Sequence, residues 1–228
     1  MQPYLFPYIG YFQLLDGVDE FVVYDNIQYT KKGWINRNRI LLNGKEHLFT
    51  VPLKNDSDYL DVRERCLSDN APKEINKILN QIKSSYSKAP YYKDIFPVVE
   101  GIFLHTDTNL FGFIFHSIVQ IRDLLGIRTK LHVSSELNID HALRGQDKVI
   151  EICRNLQATT YINPIGGIDL YAREEFAQKG IALKFHRIKD IQYSQGTAVF
   201  EKSLSIIDVL MFNGVEKVKS LLNEYILE

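Results

Sequence analysis

Cysteine is nearly absent: Cys66 and Cys153 are the only two in 228 residues. One bridge is the most they allow, and two free thiols in a reducing compartment are the simpler reading. The six histidines (His47, His105, His116, His132, His141 and His186) are scattered, with no H-x-x-x-H or C-x-x-C, which disfavours a zinc site. There is no G-x-S-x-G of a serine hydrolase, no G-x-G-x-x-G and no P-loop, so the chain carries neither a metal nor a dinucleotide signature and its cofactor is unknown. Long hydrophobic runs are missing too. The stretch from Leu110 to Ile121 is broken by His116, Ser117 and Gln120, and it falls short of the ~20 residues of a membrane span. No basic n-region precedes an apolar segment, so the expected location is cytoplasmic. An excess of one charge is likewise lacking. Net charge −1 from 27 basic and 28 acidic residues argues against a broad nucleic-acid surface.

What is present is an ordinary globular composition, 45% hydrophobic and 24% charged. A chain of this size buries about three quarters of its surface on folding, enough for a core without disulfides or metals. The pattern predicts a short strand over Phe21-Val22-Val23-Tyr24, then a hairpin from Asn38–Leu42 through Asn43-Gly44 to His47–Pro52, because Asn-Gly supplies the positive φ values of a type I′ turn. Ile75, Ile78, Leu79 and Ile82 follow helical spacing after a capping Asn70 and Pro72. Pro90 and Pro97 punctuate the next stretch, and a central helix runs from Asn109 to Leu125 and stops at Gly126. Strands over 127–133, 159–162 and 181–185 alternate with helices over 140–156 and 169–179, as in parallel βαβ crossovers. The end reads as helix over 204–212, a stop at Gly214, then a helical face of Val218, Leu222, Tyr225 and Ile226. The fold class is therefore α/β: a Rossmann-like, mostly parallel sheet with a helical middle segment. It is expected as a single domain, 1–228, with 70–126 a mainly helical insertion between two α/β parts.

Four segments are candidates for chemistry. Gln2-Pro3-Tyr4-Leu5-Phe6-Pro7-Tyr8-Ile9-Gly10-Tyr11-Phe12 suits a turn leading into a helix that begins near Pro7, where free amides and the helix dipole attract phosphate. Its aromatics equally suit a core, less so the tyrosines, whose buried hydroxyls need partners. In the second segment, from Asp25 to Arg39, Lys31, Arg37 and Arg39 suit diphosphate oxygens, while Tyr29, Trp34 and Asn36 suit a sugar or base. Alternatively Lys31-Lys32-Gly33 is a solvated turn and Trp34 a core anchor. Asp25 ends a hydrophobic strand, a place for a general base. In the third, Asn163-Pro164-Ile165-Gly166-Gly167 joins a strand to a helix, and serves either as a phosphate or substrate cradle or as a plain βα turn. In the fourth, Phe200 to Asp208, capping of the last helix by Ser203 or Ser205 is the stronger explanation of the hydroxyls. Cys153 lies on a buried helix face and reads as core, and Cys66, beside Arg63 and Arg65, sits in a more electropositive setting.

These residues carry a family resemblance. Gln2 to Gln13, Val18-Asp19 with Tyr24-Asp25, Tyr29 with Gly33 to Asn38, Tyr161 to Gly167 with Leu170-Tyr171, and Leu204 to Leu210 with Asn213-Gly214 resemble the WbqC-like family across the whole chain. The resemblance implies a bacterial O-antigen or surface-polysaccharide role: a transferase moving an acyl or aminoacyl group onto a nucleotide-linked amino sugar. Its partners would be that sugar nucleotide and the acyl donor. The second hypothesis is a non-catalytic nucleotide-sugar-binding or assembly protein of the same pathway. Family members carry apolar residues before the Gln-Pro that form a first strand. With Met1 at that point, a shortened strand or an upstream start is expected.

A local resemblance is weaker. Tyr8-Ile9-Gly10-Tyr11 occupies the place of the H-x-G-H motif of nucleotidylyltransferases and class I aminoacyl-tRNA synthetases, and Lys202-Ser203-Leu204-Ser205 is a poor echo of their lysine-serine loop. Both motif histidines are tyrosine here, which donates a hydrogen bond but bears no positive charge near neutral pH. It hints at a HUP-like fold and not at a reaction.

Overall fold

A computed structural model describes residues 1–197 and 199–228. Helix α1 (Ile9–Asp16) leads into strand β1 (Glu20–Val23), and the hairpin β2 (Arg37–Leu42) and β3 (Lys45–Thr50) comes after it. Asn43 and Gly44 take φ values of 54° and 72°, the left-handed pair the hairpin turn requires. Three helices come next: α2 (Ala71–Tyr86), α3 (Tyr92–Phe103) and α4 (Leu110–Leu124). The second half runs β4 (Lys130–Val133), α5 (Gly145–Asn155), β5 (Thr160–Pro164), α6 (Arg173–Ala177), β6 (Ala182–Ile188), α7 (Ile206–Leu221) and β7 (Tyr225–Leu227).

The architecture is mixed α/β without a closed barrel, and the described strands form three small sheets. β1 pairs parallel with β4, β2 antiparallel with β3, and β6 lies between a parallel β5 and an antiparallel β7. The expected single sheet is interrupted between β1 and β5 by a slot of about 370 Å³. Met1 sits at that slot: its amine donates to the Val22 carbonyl at 2.7 Å and its carbonyl accepts from Tyr24 N at 2.8 Å, so it pairs parallel to β1 on the edge away from β4. Its burial pushes the amine down to about 5.

Local differences from the sequence reading have identifiable causes. Asn70 stands at the start of α2 but its side chain turns to Glu74 rather than capping. Pro97 lies inside α3. Asn109 does cap α4, accepting from Gly112 N at 3.1 Å. The 169–179 helix is a 3-10 turn over Ile165–Leu170 followed by the five-residue α6. Gly214 kinks α7 rather than ending it. Tyr225 and Ile226 leave the helical face to pair with Ile188 and Arg187 on the free edge of β6.

Two cores result. The larger joins α1, β1, the hairpin, α2, α3, α4 and α7, so the central helices share one interior with the chain ends. The smaller packs α5 and α6 on β5 and β6 around Phe176 and Phe185. Both cysteines are free, Cys153 in the smaller core. No described helix is long and apolar enough to cross a membrane.

Candidate functional site

The start of α1 is fixed by a strained turn. Phe6, fully buried and bulky, has φ 44°, a conformation that costs about 1–3 kcal/mol and persists only when its surroundings enforce it. They do so from three directions. Asn38 Nδ2 donates to the Leu5 and Phe6 carbonyls at 2.9 and 2.6 Å, and Ser205 Oγ donates to the Phe6 carbonyl at 2.8 Å. Ile206 N donates to the Pro7 carbonyl at 3.0 Å, and Leu5 N to the Ile35 carbonyl at 3.0 Å. Ser205 is also the N-cap of α7, accepting from Ile207 N. The N-terminal segment, the hairpin and α7 thereby lock together at the point where α1 begins.

That point faces a cavity of about 340 Å³, lined by Tyr8, Ile9, Lys189, Tyr193, Lys202 and Ser203 among others. It lies beyond the carboxyl end of β6. Burial raises the Tyr8 hydroxyl above its ordinary range, so it is a hydrogen-bond donor at neutral pH. Gly10 is needed here because a Cβ would overlap the Tyr8 ring. Lys202 pairs with Asp190 at 2.8 Å and Lys189 with Glu224 at 3.2 Å, both in the open. Ser203 has φ 56°, and its carbonyl accepts from Arg39 Nη2 at 3.1 Å. The Arg39 guanidinium in turn lies 5.0 Å from the Trp34 ring, with Arg37 at 5.7 Å. Behind the cavity, the buried Asp208 carboxylate accepts from Tyr193, Tyr86 and Gln195 at 2.7, 2.8 and 2.9 Å. Burial outweighs those bonds and raises the Asp208 carboxyl above its ordinary value.

A second polar group lies at the carboxyl ends of β1 and β4. Asp25, 3% exposed, accepts from Ser134 Oγ (2.9 Å), Ser135 N (2.9 Å) and Ser135 Oγ (2.6 Å). With three donors already in place, its carboxylate organises the β4 end. Asn26 comes next in the chain, and Lys148 from the first turn of α5 reaches Asn26 Oδ1 at 3.3 Å.

The remaining sequence candidates divide. Tyr11 is completely buried among Tyr4, Phe12 and Phe21, and its hydroxyl has no hydrogen-bond partner among the described residues. Tyr29 donates to Asn36 Oδ1 at 2.8 Å and Asn36 Nδ2 donates to the Val51 carbonyl at 2.7 Å, both buried, so the pair staples its loop to the hairpin. Arg37 donates to the Gly33 and Lys32 carbonyls, closing the turn beneath Trp34. Lys31 is exposed and paired with Asp58, and Gln2 is exposed with Tyr4 donating to it. Trp34 is 40% exposed, the surface alternative rather than the core anchor. Asn163 accepts from Tyr161 and donates to the Pro164 carbonyl. Its amide occupies the space a Cβ on Gly167 would need, while Gly166 meets nothing. The first two segments singled out in the sequence thus meet, but through Asn38 and the Ile35 carbonyl, with Tyr29, Asn36 and Arg37 turned to scaffold duty and Arg39 reaching Ser203. Lys148, Ser134, Ser135, Lys189 and Tyr193 were not among the sequence candidates. A lysine opening a helix and serines ending a strand look solvated until packing is known. Among the described residues no three His, Cys, Asp or Glu side chains cluster as a metal site.

Comparison with known proteins agrees with the resemblance. An uncharacterized protein of Mycobacterium tuberculosis is 28% identical over 214 residues, 92% of this chain and 90% of that protein. No solved structure matches the chain. The family model of the WbqC-like proteins matches residues 2–220, and the chain belongs to the WbqC-like protein family.

Proposed function

We propose that this chain is a transferase that moves an acyl or aminoacyl group onto a nucleotide-linked amino sugar in surface-polysaccharide or O-antigen assembly, with the nucleotide phosphates held in the cavity at the start of α1. One observation carries the reading: a single cavity collects Tyr8 and Ile9 at a helix N-terminus together with Lys189, Lys202 and Ser203. First-turn amides and the helix dipole favour phosphate. Exposed ion pairs such as Lys202–Asp190 are worth little, so these lysines can turn to a ligand at small cost. The volume suits a small-molecule site. Trp34, with Arg39 beside it reaching the Ser203 carbonyl while paired with Glu46, adds an aromatic face near the Ser203 rim.

The placement of the Tyr8 and Lys202-Ser203 segments on one cavity also supports the HUP-like version of the fold. Transfer forms a new amide N–C bond, breaks the bond from the donor's acyl carbon to its thiolate or phosphate leaving group, and passes one amine proton to that departing group or to solvent. The occupied carboxylate of Asp25 favours the second reading, ligand binding without turnover, so the test separates the two. UDP-, dTDP- and GDP-linked amino sugars are titrated while thermal stability is followed, then incubated with acyl-CoA and aminoacyl adenylate donors while product mass is read. A nucleotide at about 100 times its Kd stabilises the native state by about 2.7 kcal/mol. That gain is expected in the wild type and lost in Lys202→Ala, with a new mass in the presence of a donor. Stabilisation without a new mass leaves binding alone. Stabilisation by none of them, or equal stabilisation of Lys202→Ala, refutes the cavity assignment.

A further inference from the structure

Lys148 is 5% exposed, yet no carboxylate lies within ion-pair distance of its ammonium among the described residues. Of its three donor positions, one is used, toward Asn26 Oδ1 at 3.3 Å, and the Tyr24 ring lies 5.4 Å away. Ser134 does not change this: its single hydroxyl proton is shared between Asp25 Oδ1 at 2.9 Å and Asn26 Oδ1 at 2.5 Å. The carboxylate is the stronger acceptor, which leaves Asn26 to the lysine. A buried ammonium with so few partners is costly as it stands, and burial together with Arg144 holds it below its ordinary range.

Its surroundings define what would complete it. The charged groups acting on Lys148 are Arg144, Asp61, Asp25 and Arg63. Arg63 stands 4.0 Å from Asp25 and 3.8 Å from Asp61. Among Lys148 and these four groups, three cations face two carboxylates, an excess of one positive charge that a monoanion matches. One neutral donor flanks the spot, Asn26 Nδ2, shared with His141 Nδ1 at 3.2 Å; the half-buried Ser135 beside it gives both its amide and its hydroxyl to Asp25. We propose that Lys148, with Asn26, forms a subsite for a monoanionic carboxylate at the carboxyl ends of β1 and β4, beside Ser135. The subsite is separate from the nucleotide cavity and stands whether or not that cavity holds a nucleotide.

The test uses sodium acetate against sodium chloride at matched ionic strength, followed by amide chemical shifts of the intact protein. In the wild type, saturable shifts at the Asn26 and Ser135 amides are expected, with inorganic phosphate, largely a dianion at pH 7.5, binding more weakly. Lys148→Met keeps the stem and removes the charge, and should bind acetate at least tenfold more weakly. Lys148→Arg restores a cation and should recover most of the response, and Lys202→Ala should leave it unchanged. Spectral dispersion reports whether each variant is folded. No saturable shift in the wild type, or equal acetate affinity in Lys148→Met, overturns the proposal. Loss in Lys202→Ala as well would assign the response to the cavity instead and also overturn it.

Discussion

Replacing Asn38 by alanine tests whether the strained turn before α1 is held from outside or is intrinsically stable. The side chain makes three hydrogen bonds: to the Leu5 and Phe6 carbonyls, and from Arg39 N to its Oδ1 at 2.8 Å. At about 1 kcal/mol net for each, the direct loss is about 3 kcal/mol. The Phe6 carbonyl keeps Ser205 Oγ, but the buried Leu5 carbonyl is left without this donor, adding about 1–2 kcal/mol. Relaxation of Phe6 from its positive φ returns up to about 2 kcal/mol, so the net destabilisation is about 2–5 kcal/mol. For a chain of this length each kcal/mol lowers Tm by about 2–4 °C, and a drop of roughly 4–20 °C is expected. The same substitution frees the start of α1, so nucleotide affinity at the cavity should fall at least tenfold. Leu183→Ala, a cavity mutation in the smaller core, serves as the control: similar loss of Tm, unchanged affinity. Thermal unfolding by circular dichroism and ligand titration read both quantities. A Tm within 2 °C of wild type, or equal affinity loss in the two variants, would refute the idea that Asn38 stores the turn's strain for the site.

The buried carboxyl of Asp208 makes a pH prediction of unusual sign. Because its native value lies above the ordinary 3.8, the folded state binds the proton more tightly than the unfolded one. Its contribution to stability therefore falls as pH rises from 3.8 through the raised native value, the reverse of ordinary acid denaturation. Urea unfolding across that window should show the wild type's advantage over Asp208→Asn shrinking with pH, and a growing advantage would contradict the assignment. The cysteines give a simpler contrast. Burial pushes the Cys153 thiol up to about 11, so a thiol reagent at pH 8 should modify the half-buried Cys66 in the native protein and reach Cys153 only on unfolding, as read by mass spectrometry.

The parts of the fold legible in the sequence are those set by local chemistry. Asn43-Gly44 demands its turn, the spacing of Ile75, Ile78, Leu79 and Ile82 demands an amphipathic helix, and Asn109 and Ser205 cap because their side chains reach amides two or three residues on. What was not legible depends on partners distant in the chain. Tyr225 and Ile226 fit a helical face as well as a strand, and only the open edge of β6 decides between them. The interruption between β1 and β5 is likewise invisible to periodicity, because a parallel pairing leaves no local trace of its neighbour.

The candidate site obeys the same division. An odd composition marked the residues from Gln2 to Phe12 and from Asp25 to Arg39, but composition does not say which way a polar side chain turns. Asn36, Tyr29 and Arg37 satisfy one another's loop because buried backbone carbonyls there need donors. Arg39 bridges to Ser203, 164 positions away. An asparagine-rich basic loop can therefore be mostly structural and still serve the site, by fixing where the helix begins and where the lysine loop ends. This makes a specific demand: substitutions at Asn36 and Asn38 should act on ligand binding through the order of the turn, whereas Lys202 acts by charge. Added salt should accordingly weaken the nucleotide contact made by Lys202 and leave the stability cost of the asparagine variants unchanged.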